Sequence, residues 1–219
     1  ALGVATDSPS RYQRSKARGE QVLRDSGLDL TVLRPSVIFG AGDRFLNLFA
    51  QLQSLFPVVP LAGASSRFQP VWVEDVADAV VASLHSDTVG KTYDCVGPDV
   101  MTLADLVRAA GHYGSRQRPI IALPMALGRL QARLMELAPG EPLMSRDNLD
   151  AMSVDNVATG HWPDLAALGI AASGIAAGAP TYLGGEPADN HLLKMRGCSG
   201  KQRRERKSNA AALHRQAKK

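Results

Sequence analysis

The chain has 219 residues, 45% of them hydrophobic, which is enough for one sizeable domain or two small ones. Its net charge of +4 is unevenly placed: residues 201–219 hold eight of the 25 basic residues and one of the 21 acidic ones, so the other 200 positions carry 17 basic against 20 acidic residues. That excludes a globally basic protein that coats nucleic acid, and two cysteines, Cys95 and Cys198, exclude a disulfide framework or a cysteine-rich metal site.

No apolar run approaches the roughly 20 residues of a membrane-spanning helix, and the first residues lack the basic and apolar regions of a secretory signal. The free-thiol usage fits a reducing, cytoplasmic compartment. No initiator Met is present, which we read as a chain that starts mid-protein.

In chain order, residues 11–26 read as a helix, with Ser8 or Ser10 as cap and Gly27 as stop. Residues 28–33 (LDLTVL) read as a buried strand ending at Arg34-Pro35, and a glycine-bearing loop occupies 36–43. Residues 44–55 are amphipathic and helical. Residues 58–61 and 68–73 read as short extended segments, paired with each other. A helix follows over 74–86, a strand over 91–96 and a helix over 102–113 with Thr102 as cap. Residues 119–123 read as extended, 125–137 as a helix and 145–152 as a short one. Beyond residue 168 the pattern fades into small residues and then a basic tail.

Helices alternating with strands predict an α/β fold with parallel strand pairs. The expected division is a body over 1–170 and a low-complexity, disordered tail over 171–219. The two convincing strands, 29–34 and 91–96, are too few for a stable sheet, so further strands are expected outside these residues.

The chemistry-bearing feature is Tyr12-x-x-x-Lys16. Four residues along a helix is about 6 Å, so both side chains share one face. A free tyrosine has a pKa near 10, and a neighbouring ammonium favours the phenolate, so the pair suits proton transfer. An exposed tyrosine beside a solvated lysine is the plain alternative. Arg34 could bind an anion or pair with a helix carboxylate. Asp43 could line a cleft or cap the following helix, and Asp75 could support a cleft or serve as a first-turn acid. None of the five histidines has a partner at ligand spacing, so no metal is assigned.

Tyr12-x-x-x-Lys16, then LTVLRPSVIFG (30–40), then FQPVWVEDVADAV (68–80), resembles the extended and atypical short-chain dehydrogenase/reductase superfamily, the NAD-dependent epimerase/dehydratase family. GAGDRFLN (40–47) and SRDNLDAM (145–152) make it most similar to the nucleotide-binding accessory subunit of respiratory complex I and its bacterial relatives. The likeness covers about residues 1–170.

It implies the C-terminal part of a Rossmann-like doubly wound parallel sheet with a small mixed substrate lobe, and NAD or NADP as cofactor in the complete protein. It implies a small-molecule substrate with a carbonyl or a nucleotide link, or else a non-catalytic place beside complex I subunits, peripheral at the inner membrane. By the same likeness Tyr12 and Lys16 are catalytic. Lys16, Pro35, Ser36 and Val37 meet the cofactor, while Arg44, Asn47 and Gln69 meet the substrate. The family's glycine-rich phosphate turn, G-x-x-G-x-x-G, has no match in this sequence, so this portion alone is expected to be inactive.

Overall fold

Ser10 stands in extended backbone ahead of α1 (Arg11–Asp25), and its hydroxyl accepts from the Gln13 N–H. Gly27 then takes a φ of +72°, a turn open to glycine without strain, and ends the helix. The computed structural model describes residues 1–137, 142 and 144–184. The next strand, β1 (Val32–Pro35), begins later than the hydropathy suggested and takes in Arg34 and Pro35. Leu28 is exposed, and pairing begins only where the Gly90 N–H reaches the Leu30 carbonyl.

After β2 (Ile38–Phe39) come α2 (Leu46–Leu55) and β3 (Val59–Ala62). The extended segment expected over 68–73 is two strands, β4 (Arg67–Phe68) and β5 (Val71–Trp72), separated by Gln69-Pro70. Pro70 has no N–H to give to a ladder, and the chain changes partner there. α3 (Val73–Ala82), β6 (Thr92–Cys95), β7 (Met101–Thr102) and α4 (Leu103–Tyr113) follow. Thr102 and Asp105 close α4 as a reciprocal capping box. β8 (Ile120–Leu123), α5 (Met125–Glu136), α6 (Arg146–Ala151) and α7 (Ile175–Gly178) complete the described elements.

The strands join in parallel pairs β1–β6, β2–β5 and β3–β8, with β4–β7 antiparallel. The expected pairing of 58–61 with 68–73 therefore does not occur. β3 takes β8 instead, with Val59 opposite Ile120. Parallel pairs with intervening helices make this an α/β fold of Rossmann-like type, and the antiparallel pair belongs to a mixed portion beside them.

The main core gathers Phe39, Leu46, Leu61, Leu103, Leu106 and Val107. α2 and α4 meet closely at Gly111, where a Cβ would lie 2.2 Å from Gln53 Oε1. Gln53 is buried there and satisfied, donating to the Val107 carbonyl at 2.7 Å and accepting from the Arg118 N–H at 3.1 Å. Compact packing continues to Leu183, not to residue 170. Ile175, Ala179 and Leu183 lie in the main core, and the buried Asp75 carboxylate accepts from the Ser173 N–H at 2.6 Å. Small residues concealed this segment from periodicity, because three anchors and one polar clip place it. The remainder of the expected tail, 185–219, lies outside the described residues.

Candidate functional site

Tyr12 and Lys16 leave the same face of α1, with the Lys16 Nζ 5.6 Å from the centroid of the Tyr12 ring. Tyr12 is 53% exposed and Lys16 is also exposed. Neither the phenol oxygen nor the ammonium has a hydrogen-bond partner among the described residues. Both polar tips are thus available to a ligand, which is the requirement for a proton-transfer pair.

The N-terminal turn of α1 is closed by side chains. Asp147 of α6 accepts from the Arg11 N–H at 2.6 Å, the Tyr12 N–H at 3.1 Å and the Ser10 hydroxyl at 3.1 Å. Burial opposes ionisation of Asp147, but those backbone and hydroxyl donors outweigh it and hold the carboxyl below its ordinary value. Buried Ser8 and Gln13 bond to each other beneath this turn.

Farther along α1, Glu20 accepts from Arg34 Nη2 at 2.8 Å and Arg34 Nε at 3.1 Å, and from Arg24 Nε at 2.9 Å. Burial resists charge on Glu20, yet the two guanidinium groups prevail and lower its pKa. Arg34 therefore pairs with a helix carboxylate, and its guanidinium also lies over the Trp162 ring at 5.5 Å. Across the β1–β6 ladder from Arg34 stands Asp94, whose buried Oδ1 lacks a hydrogen bond. Burial raises its pKa against the opposing influence of Arg34 and His161.

The strand-end segment is largely committed to the fold. The Pro35 carbonyl accepts from the Leu2 N–H at 2.8 Å, the Ser36 N–H donates to the Cys95 carbonyl at 3.0 Å, and the Val37 carbonyl accepts from the Val71 N–H at 3.0 Å. The Ser36 hydroxyl is bonded to Asn156 Oδ1 at 2.5 Å. These bonds commit the Pro35 and Val37 carbonyls and the Ser36 N–H and hydroxyl to the fold.

The three residues expected to meet substrate are placed differently from one another. Gln69 spends its amide on the Gly97 carbonyl at 2.8 Å and the Ala158 N–H at 3.1 Å, so it is a clip between loops. Asp43 caps α2, accepting from the Phe45 and Asn47 N–H groups, and also accepts from the Tyr182 hydroxyl at 2.7 Å. Burial and that carboxylate push the Tyr182 phenol well up. Asn47 has a buried Nδ2 without a partner, while Arg44 is exposed. Among the described residues no cluster of His, Cys, Asp and Glu could hold a metal ion, and no helix is long and apolar enough to cross a membrane.

No family model matches the chain. It is 36% identical over 174 residues to the mouse (Mus musculus) mitochondrial NADH dehydrogenase (ubiquinone) 1 alpha subcomplex subunit 9, covering 77% of this chain and 45% of that protein. It is 32% identical over 126 residues to a ceramide reductase of Caulobacter vibrioides, covering 57% of this chain and 39% of that one. Among solved structures, a UDP-glucose-4-epimerase from Stenotrophomonas maltophila, crystallised with NAD and formylated UDP-arabinopyranose, superposes with a TM-score of 0.51 at 19% identity, over 79% of this chain and 53% of that one. The sequence likeness is thus to a complex I subunit, and the fold is the Rossmann-like one that the epimerase shares. The chain spans less than half the length of the curated relatives it matches.

Within this family portion, the sequence reading found the pair on α1 but missed what surrounds it. Asp147 acts on Arg11 from 136 positions away in the chain, Glu20 on Arg34 from 14 and Asn156 on Ser36 from 120. A single carboxylate or amide carries no local spacing that announces such a contact. The one available signal for Asp147 was its place inside SRDNLDAM.

Proposed function

We propose that this chain carries the acid/base and ribose-facing part of an NAD(P)-binding protein of the short-chain dehydrogenase/epimerase type, acting on the carbonyl of a small or nucleotide-linked substrate. The carrying observation is the exposed, uncommitted Tyr12–Lys16 pair on α1. On this reading the ammonium donates to cofactor hydroxyls, and the Tyr12 hydroxyl passes its proton to a carbonyl oxygen. A nicotinamide dinucleotide, NAD or NADP, supplies the hydride when bound. Arg44, Asn47 and Gln69 are the substrate-facing candidates. The name of the Caulobacter relative, a reductase, supports this reading.

A second reading, a non-catalytic nucleotide-binding accessory or assembly protein of respiratory complex I, is favoured by the identity to the mouse subunit. It carries with it a peripheral place at the inner membrane. One experiment separates the two. The full-length gene product is assayed with NADPH and NADH across a panel of aldehydes and ketones. On the first reading Tyr12→Phe lowers turnover about 100-fold or more while cofactor affinity stays within about twofold. Unchanged turnover in Tyr12→Phe would overturn it. A wild-type protein silent across the panel, yet co-purifying with complex I subunits, establishes the second.

A further inference from the structure

Of the fifteen residues of α1, only Gln13 is buried, and Val22 and Leu23 point outward. Apolar burial therefore does little to dock this helix, and polar contacts must set where it lies. One set is the Glu20 clip to β1. The other is at the N-terminus, where every first-turn donor is accounted for. The Arg11 and Tyr12 N–H groups go to the two oxygens of Asp147, and the Gln13 N–H goes to the Ser10 hydroxyl, which is itself bonded to Asp147. These donors have no intrahelical partner in any helix and need one when water is kept away. A carboxylate fits because it offers two acceptors side by side and its charge suits the positive end of the helix.

We propose that Asp147 is the positioning residue of the Tyr12–Lys16 pair. It fixes the turn from which Tyr12 projects, and so couples α6 to the site. This rests on the pair being the site-forming one. Lys16 lies a turn farther on, so loss of Asp147 frays the first turn, parts Tyr12 from Lys16 and lets the start of the helix that carries Lys16 shift.

Two measurements test it. In the 219-residue chain, the Tyr12 ring should shift the Lys16 side-chain NMR signals, and Tyr12→Leu identifies that shift. Asp147→Ser should abolish the shift and speed exchange of the Arg11 and Tyr12 amides about tenfold or more, while Leu33 and Tyr93 in the β1–β6 ladder keep their protection. Asp147→Asn, which keeps the shape and a single carboxamide oxygen, should recover part of both. An unchanged Lys16 shift in Asp147→Ser, or a loss of protection spread evenly over the core, would overturn the proposal.

The second measurement is NADPH affinity of the full-length gene product. Lys16→Ala and Asp147→Ser should each weaken it about tenfold, and the double variant should be no weaker than Lys16→Ala alone. If Lys16→Ala weakens binding and Asp147→Ser does not, the positioning role fails by itself. If Lys16→Ala changes nothing, the reading of the pair fails and takes this proposal with it.

Discussion

Replacing Glu20 by alanine tests how α1 is held. The variant removes three charge-assisted hydrogen bonds and leaves Arg34, whose side chain is only 19% exposed, with the Trp162 face and the charge of Asp94 across the ladder. Exposed ion pairs contribute about 1 kcal/mol or less, and breaking a fully buried pair costs about 3–5 kcal/mol. Glu20, 14% exposed, lies between these limits, so a loss of about 2 kcal/mol is expected. For a unit of this size that lowers the melting temperature by about 4–8 °C, or the urea midpoint by about 1 M.

The pH dependence follows from the sign of the shift. Glu20 has a folded-state pKa below its ordinary 4.5, so its contribution is present above that value and is lost as pH falls through the folded-state pKa. The difference between wild type and Glu20→Ala should therefore be flat from pH 6 to pH 8, near ~2 kcal/mol, and shrink below about pH 4.5. Urea denaturation at a series of pH values reads both quantities. A difference below about 0.5 kcal/mol at pH 7 would refute the view that polar clips hold this helix. So would a Glu20→Gln variant as stable as wild type.

Gly97→Ala should destabilise the fold by about 2–3 kcal/mol in urea titrations, because its Cβ would stand 2.1 Å from the Pro70 carbonyl oxygen, a backbone atom with little room to move. Cys95, fully buried and with its thiol pushed up to about 11 by desolvation first and Asp94 second, should resist iodoacetamide at pH 8 until the chain unfolds. In a Cys198→Ser background, mass spectrometry should find no alkylation of the native chain and one adduct in denaturant. Cutting the chain after residue 170 should abolish cooperative unfolding, whereas ending it at 184 should preserve it, since Ile175 and Leu183 each contribute about 2–4 kcal/mol of core packing. Equal melting curves for the two lengths would contradict the packing described for 171–183.

Much of this fold is legible from local chemistry. Ser10 and Gly27 bracket α1, Thr102 and Asp105 announce α4, and the apolar run 91–96 becomes β6. Those signals act within a few residues and are stated by side-chain type. Strand partners are a different matter. Nothing in 58–61 says that it will pair with Ile120–Leu123 across two intervening helices, and a short run interrupted by Pro70 reads as one strand when it is two.

The site divides along the same line. Helical periodicity places Tyr12 and Lys16 together, and the motifs that follow single the pair out. Their supports could not be found so, since Asp147 and Glu20 act through tertiary contacts whose only sequence trace is a carboxylate. Gln69 shows a further kind of hidden contact. Its place in the motif suggested a substrate contact, and nothing local announced the bonds that its amide makes to the Gly97 and Ala158 backbone.

The central claim is that the Tyr12–Lys16 face of α1 meets a nicotinamide nucleotide. Its most direct test is a fluorescence titration of NADPH into the full-length gene product, wild type against Lys16→Ala. The account predicts saturable binding that weakens about tenfold in the variant, the loss of one charge-assisted contact. Equal affinity in the two proteins would contradict it.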